Sequence, residues 1–280
     1  MLLIAVLVPV CLTGVIYWSG KVGIINFTIM KKLLLTPLLY FVSFITAHAG
    51  WYVCYNFEGT IGKHPIHLYL QIMGIHREGN DSVVKIEGLY KYDKYNEPIA
   101  LTGTLNRGNH VVLKEIVNNQ PNAVFDFVLS GPAVTGSWVL LKDMKLLPLQ
   151  LNKTGELTDT LNESTAASVE ILQSANFKDN YMVGVYSKAA SEDRVQMDQL
   201  KILNKKTNAI VQVIDFSKVE TTTGNVITII YNNVEISDDN KDLQIWNSAG
   251  RMGSILHAHF NSATGKYQLN TKPVLDGPDS

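Results

Sequence analysis

Pro65-Ile66-His67-Leu68-Tyr69-Leu70-Gln71-Ile72-Met73 alternates without a break. Ile66, Leu68, Leu70 and Ile72 fall on one side, and His67, Tyr69 and Gln71 on the other. A period of two is the signature of a half-buried strand, because successive side chains of an extended chain point to opposite faces. The same pattern spreads outward from this stretch. Residues 51–59, 83–92, 99–105, 110–117, 123–129, 134–141 and 146–151 read as further strands, eight in all. Between them stand turn formers: Gly62-Lys63, Gly79-Asn80-Asp81, Lys94 to Glu97, Asn106 to Asn109, Asn119 to Asn122, Ser130-Gly131-Pro132 and Lys142-Asp143. No helical period interrupts the series. Short strands joined by short turns make an antiparallel meander rather than βαβ units. Eight of them predict an up-and-down barrel, which also removes exposed sheet edges. Gly59, Gly88, Gly103 and Gly136 lie inside these strands. Strand glycines weaken a sheet unless they permit a bend or a close approach, as a small coiled barrel requires.

The 280 residues divide unevenly around this barrel at 50–151. Residues 1–49 carry no Asp or Glu and only three basic residues, Lys21, Lys31 and Lys32. From Met30 the chain reads Lys31-Lys32, an apolar run over 33–45 and then Ala47-His48-Ala49. A basic head, a short apolar centre and a small-x-small site form a secretory signal peptide, so 30–49 is expected to be removed before Gly50. Residues 1–29 are read as an upstream extension of the coding region. The other reading is an anchor, since 1–18 is apolar enough for a short membrane span. The expected location is periplasmic or extracellular, with no stable membrane span after cleavage.

Beyond the barrel, 152–168 is polar and rich in Thr, Asn, Glu and Ser, and reads as a linker with room for a short helix within 164–172. Residues 169–275 form a second β-rich unit, with strands expected at 180–187, 195–204, 210–214, 225–231, 242–247, 254–260 and 266–269. Residues 276–280 are a tail. The fold class is therefore all-β, a barrel followed by a second β domain.

Composition excludes several functions. Residues 50–280 hold 21 basic and 25 acidic residues, so no basic excess supports nucleic-acid binding. One cysteine, Cys54, remains there, which rules out an internal disulfide and suits a small buried apolar residue on the first strand. His64-Pro65-Ile66-His67 would separate its two imidazoles across a strand, and His257 and His259 share a face without a visible third ligand. Glu58, Glu87 and Glu115 lie in or beside strands, and only facing carboxylates could hydrolyse a glycoside. No G-x-S-x-G, H-E-x-x-H or P-loop is present. No catalytic residues are assigned and no enzyme is expected. A binding surface is sought among the aromatic residues, at Tyr90, Tyr92 and Tyr95 near a turn and at Trp138.

Two resemblances add to this reading. The phrases Phe57-x-Gly59-x-Ile61-Gly62-x-x-Pro65-Ile66, Gly88-x-Tyr90-x-Tyr92, Pro98-Ile99-x-Leu101-x-Gly103, Leu113-x-Glu115, Gly136-x-Trp138 and Leu147-Pro148-Leu149 resemble small exported bacterial barrel domains. That resemblance implies a fold and no activity. Leu200-x-Ile202-x-Asn204-Lys205-Lys206-Thr207-x-x-Ile210-x-Gln212 and Phe260-Asn261-x-x-Thr264-Gly265-Lys266-Tyr267 are similar to the C-terminal module of periplasmic immunity proteins. Those proteins neutralise lysozyme-like effectors of bacterial secretion systems and are themselves similar to invertebrate-type lysozyme inhibitors. The family carries a calcium loop D-x-N-x-D-G between the two phrases. Here Ser237-Asp238-Asp239-Asn240-Lys241-Asp242 stands in its place, shorter and without the glycine. Calcium takes six to eight oxygens, so Asp238, Asp239, Asn240 and Asp242 make a degenerate site and no cofactor is expected. The resemblance implies a non-catalytic inhibitor of a lysozyme-like hydrolase. A barrel-type carrier of a small ligand or glycan, and a hydrolase, are the alternatives.

Overall fold

The computed structural model describes residues 52–73, 76–78, 81–158, 165–188, 195–216, 219, 230–248 and 254–275. The leader and extension read in 1–49 and the tail 276–280 lie outside them. Residues 49–280 form one compact unit. Its first strands are β1 (Tyr52–Ile61), β2 (His64–Met73), β3 (His76–Glu78), β4 (Asp81–Tyr92), β5 (Ile99–Asn106), β6 (His110–Val117), β7 (Gln120–Val128), β8 (Ala133–Leu140) and β9 (Lys145–Thr158). All pairings are antiparallel: β1 pairs with β2, each strand from β4 to β8 pairs with the next, β9 returns to β1, and β2 pairs with β4 to close the ring. This is the eight-stranded up-and-down barrel expected from the alternation, with β3 as a small extension on β4.

The interior is a packed core. Ile66, Leu68 and Leu70 point into it together with Phe57, Ile86, Tyr90, Leu113, Phe125, Phe127 and Trp138. Eight strands enclose a space that side chains of this size fill. Two glycines show how tightly the strands coil. A Cβ on Gly59 would lie 1.9 Å from the Gln150 carbonyl oxygen, and one on Gly103 1.9 Å from that of Val112. Only glycine lets these backbones approach so closely.

The second sheet contains β10 (Thr165–Asn176), β11 (Asn180–Lys188), β12 (Gln196–Asn204), β13 (Ile210–Asp215), β14 (Val234–Ile236), β15 (Asp242–Ser248), β16 (Ser254–Asn261) and β17 (Lys266–Leu275). The main path is β10-β11-β12-β15-β16-β17, with β13 beside β12 and β14 beside β15. Three expectations change here. The stretch 152–168 is not a loop in its described parts: 152–158 continues β9 and 165–168 opens β10, and neither helix nor coil is found at 165–172. The polar side chains of 152–156 and Ser168 suit strands that border solvent and a cleft. Of the strand expected at 225–231, the described part belongs to a 3₁₀ turn, Ile230–Asn232. Residues 270–275 extend β17 beyond the expected strand end.

The outward side chains of β1, β2, β4 and β9 do not all face water. Cys54, Tyr69, Leu89 and Leu157 join the core of the second sheet, alongside Met182, Tyr186, Met197, Leu243 and Leu256. Cys54 is buried, as its strand position implied. Burying apolar surface at this seam supplies the main attraction between the barrel wall and the sheet. Polar contacts then fix the geometry. Ile230 N donates to Gln71 Oε1 at 2.8 Å and Tyr231 Oη to Glu87 Oε2 at 3.3 Å. Tyr186 Oη donates to Ile230 O at 2.9 Å and accepts from Asn233 and Gln173 at 3.2 Å each. That phenol uses its donor and both lone pairs, so its burial leaves no polar group unpaired.

Candidate functional site: the cleft between barrel and second sheet

Where the barrel wall and the second sheet part, they leave a cleft of about 1000 Å³. Its barrel side is built by Asn56, Phe57 and Glu58 of β1, His67 and Tyr69 of β2, Lys91 of β4, and Thr154, Gly155, Glu156 and Thr158 of β9. The opposite side is built by Ser168, Val169 and Glu170 of β10, Tyr181 and Val183 of β11, Leu203 of β12, and Asn208. Period-two alternation explains the barrel contribution: Asn56 and Glu58, His67 and Tyr69, and Lys91 share the outward parity of their strands. A register shift in the β1–β9 pairing falls here. Asn56 opposes Gly155 and Phe57 opposes Lys153, so Thr154 is the extra, bulged residue. Bulges bend a strand and redirect a side chain, and they recur beside functional sites.

The charges of the cleft are largely matched within it. His67 lies 2.6 Å from Asp93 and 3.3 Å from Glu58. Lys91 Nζ donates to Asn96 Oδ1 at 2.6 Å and to Asp93 at 3.2 Å, and sits 5.6 Å from the centre of the Tyr181 ring. Burial lowers the Lys91 ammonium below its ordinary range, and Asp93 opposes that shift. Lys153 pairs with Glu156 at 2.7 Å and Lys201 with Glu170 at 2.6 Å. The Tyr69 hydroxyl feels Tyr181, Glu170, Asp93 and Glu58, and burial first and these neighbours next push its pKa up. It stays a neutral phenol.

Asn56 is oriented by one bond. Its Nδ2 donates to the Glu170 carbonyl at 2.6 Å, which leaves Oδ1 buried without a partner among the described residues. A carbonyl only accepts, so the amide cannot flip without losing that bond. A buried acceptor left unpaired costs on the order of 1–3 kcal/mol.

The aromatic residues singled out from sequence do not form one surface. Tyr90 is fully buried inside the barrel, where its hydroxyl donates to Glu115 Oε2; Asn122 donates to Glu115 Oε1 at 2.6 Å. Burial and Glu115 push the Tyr90 pKa up. Trp138 is only 7 % exposed and packs in the same core. Tyr92 is half-buried against Tyr90 and His64. Tyr95 alone is open, at 59 % exposure. Strand parity carried this information: Tyr90 shares the inward side with Ile86, four residues before it. The neighbouring turn serves as a latch instead. Asn96, at φ 52°, accepts from Lys91 and donates to Lys205 O and Asn208 Oδ1, both at 2.8 Å. Lys205 in turn donates to Glu97, and to Asn176 Oδ1 at 2.7 Å.

Glu58, Glu87 and Glu115 do not converge. Glu115 lies inside the barrel, while Glu58 meets His67 and Glu87 meets Lys85 on the outside. Among the described residues, no group of three or more His, Cys, Asp or Glu is arranged to hold a metal ion. The degenerate loop is a tight β-turn. Asp239 accepts from Ser237 Oγ at 2.8 Å and Lys241 N at 3.1 Å, which lowers its pKa. Asp242 pairs with His259, and Asp238 is exposed. Asn240, at φ 58°, takes the left-handed conformation of the turn. Its carbonyl accepts from Tyr267 Oη at 2.6 Å.

The two phrases that resemble inhibitor modules meet in space. Gln212 Nε2 donates to the Tyr267 carbonyl at 2.6 Å, and Tyr267 N donates to Gln212 Oε1 at 2.9 Å. One side-chain amide thus bridges β13 to the backbone of β17. No protein-family model matches the chain. No curated protein matches it either. Among the described residues, no helix is long and apolar enough to cross a membrane.

The sequence reading missed Asn56, Tyr69, Lys91, Glu156 and Glu170 as cleft residues. A signal for the seam was present in the outward parity of Tyr69 and Leu89, which are too apolar for a face wholly in water.

Proposed function

We propose that the chain is an exported, non-catalytic binding protein of the bacterial envelope that inhibits a lysozyme-like peptidoglycan hydrolase, as an immunity protein does. The observation that supports this reading is the reciprocal Gln212–Tyr267 pairing. It joins the two phrases on which the inhibitor resemblance rests, which are distant in sequence. The turns that flank them are also held internally: Asn204 Oδ1 caps Lys206 N and Thr207 N, and Asn261 Oδ1 caps Ala263 N. Rigid, self-satisfied turns are the kind of element that presents side chains to a partner at low entropic cost. The excess of acidic over basic residues in 50–280 suits encounter with a basic protein. The carrier alternative gains no support from the barrel interior, which side chains fill. The hydrolase alternative gains no support from Glu58, Glu87 and Glu115, which do not converge.

Affinity capture from an envelope extract, followed by mass spectrometry, tests the reading. A peptidoglycan hydrolase should be enriched over a control bait. Its absence across extracts from which other envelope proteins are recovered counts against it.

A further inference from the structure

The cleft carries a second inference, which rests on its own geometry and not on the inhibitory reading. Its volume lies at the upper end of the range for small-molecule sites. Three classes of ligand fit it poorly. An anion would find one buried lysine, Lys91, already engaged by Asp93 and Asn96, and carboxylates around it. A cation would find Glu156 and Glu170 already paired with Lys153 and Lys201. A wholly apolar ligand would strand the polar groups of the lining, at a cost for each one desolvated.

What the cleft leaves open is hydrogen-bonding capacity beside aromatic rings. Asn56 Oδ1 is a buried acceptor with no partner, its orientation fixed by the Nδ2–Glu170 bond. Tyr69 lines the cleft with a neutral hydroxyl. Tyr181 contributes a second phenol, bonded at 3.1 Å to Asn208 Oδ1. The bulge at Thr154 adds a hydroxyl-bearing side chain on the barrel side, and Ser168 adds one opposite. Neutral donors and acceptors interleaved with rings, under balanced charge, match a ligand that is itself uncharged, rich in hydroxyls and carries apolar faces. We propose that this cleft binds a neutral oligosaccharide, with Asn56 accepting from a sugar hydroxyl or amide and Tyr69 bonding to a neighbouring oxygen.

The test uses the full chain with four probes: maltohexaose, cellohexaose, xylohexaose and chitohexaose, each at about 1 mM, the scale of a weak specific complex. Binding is read by saturation-transfer NMR and calorimetry. Thr154→Trp and Ser168→Trp place an indole in the cleft from two opposite sides, both at exposed positions. Met144→Ala, 70 % exposed on the β8–β9 turn and outside the cleft lining, is the control. At least one probe should bind, about tenfold or more weakly to each Trp variant with unchanged circular dichroism, and equally to the control. Failure of all four probes overturns the proposal, as does binding that both Trp variants leave intact. Plug-sensitive binding of spermidine with none of the sugars also overturns it. Loss of hydrolase inhibition would leave these outcomes unchanged, so the two readings fail separately.

Discussion

Asn96 illustrates how much one small side chain can fix. It stands at a positive φ, accepts from Lys91 and donates twice across to the second sheet. Asn96→Ala removes all three bonds and loses the tolerance of the left-handed conformation that asparagine has and alanine lacks, a cost of about 1 kcal/mol. The expected loss is about 2–4 kcal/mol in urea unfolding, and Asn96→Gly should recover only the backbone part. Gly103 makes a sharper case. Any Cβ there collides with the Val112 backbone, so Gly103→Ala is expected to cost about 3 kcal/mol or more. An unchanged denaturation midpoint would mean that β5 and β6 are not in contact as described. Tyr90→Phe should cost about 1–3 kcal/mol, because Glu115 then remains buried with one donor fewer.

At the scale of elements, β13 and β17 are held by a side chain rather than by a ladder. Gln212→Ala should therefore loosen one edge of the second sheet and leave the barrel intact. Hydrogen exchange is expected to rise at Tyr267 N while protection persists in β6 and β7. The barrel strands were legible because their inward sides are continuously apolar and their turns carry Gly, Asn and Asp. Strand β10 was not, since Thr165-Ala166-Ala167-Ser168 offers weak β-propensity and no alternation. The end of β9 was hidden for a related reason: Asn152, Lys153, Thr154 and Glu156 border solvent or the cleft, where no apolar stripe is needed. The cleft itself was beyond a single-strand reading, because its walls combine β1, β2, β4 and β9 of the barrel with β10, β11 and β12 of the second sheet.

For the whole molecule, the shared seam decides cooperativity. Cys54, Tyr69, Leu89 and Leu157 complete the core of the second sheet from the barrel side. The barrel and the sheet should therefore unfold in one calorimetric transition, and the Cys54 thiol should react with a disulfide reagent only as that transition occurs. High pH attacks the same core. Burial raises the pKa of Tyr69, Tyr90, Tyr186 and Tyr231 above the ordinary phenol value. The folded chain then holds protons that the unfolded chain releases above about pH 10, so this stability is intact below that pH and declines as pH rises through it. Phenolate absorbance from these residues should appear together with loss of the far-ultraviolet β signal.

The proposed activity is tested most directly by adding the purified protein to a panel of lysozyme-like hydrolases and following the clearing of a peptidoglycan suspension. Saturable, stoichiometric inhibition of at least one member, with an isolable complex, is the expected result. Full hydrolytic rates across the panel, with no complex formed, would contradict it.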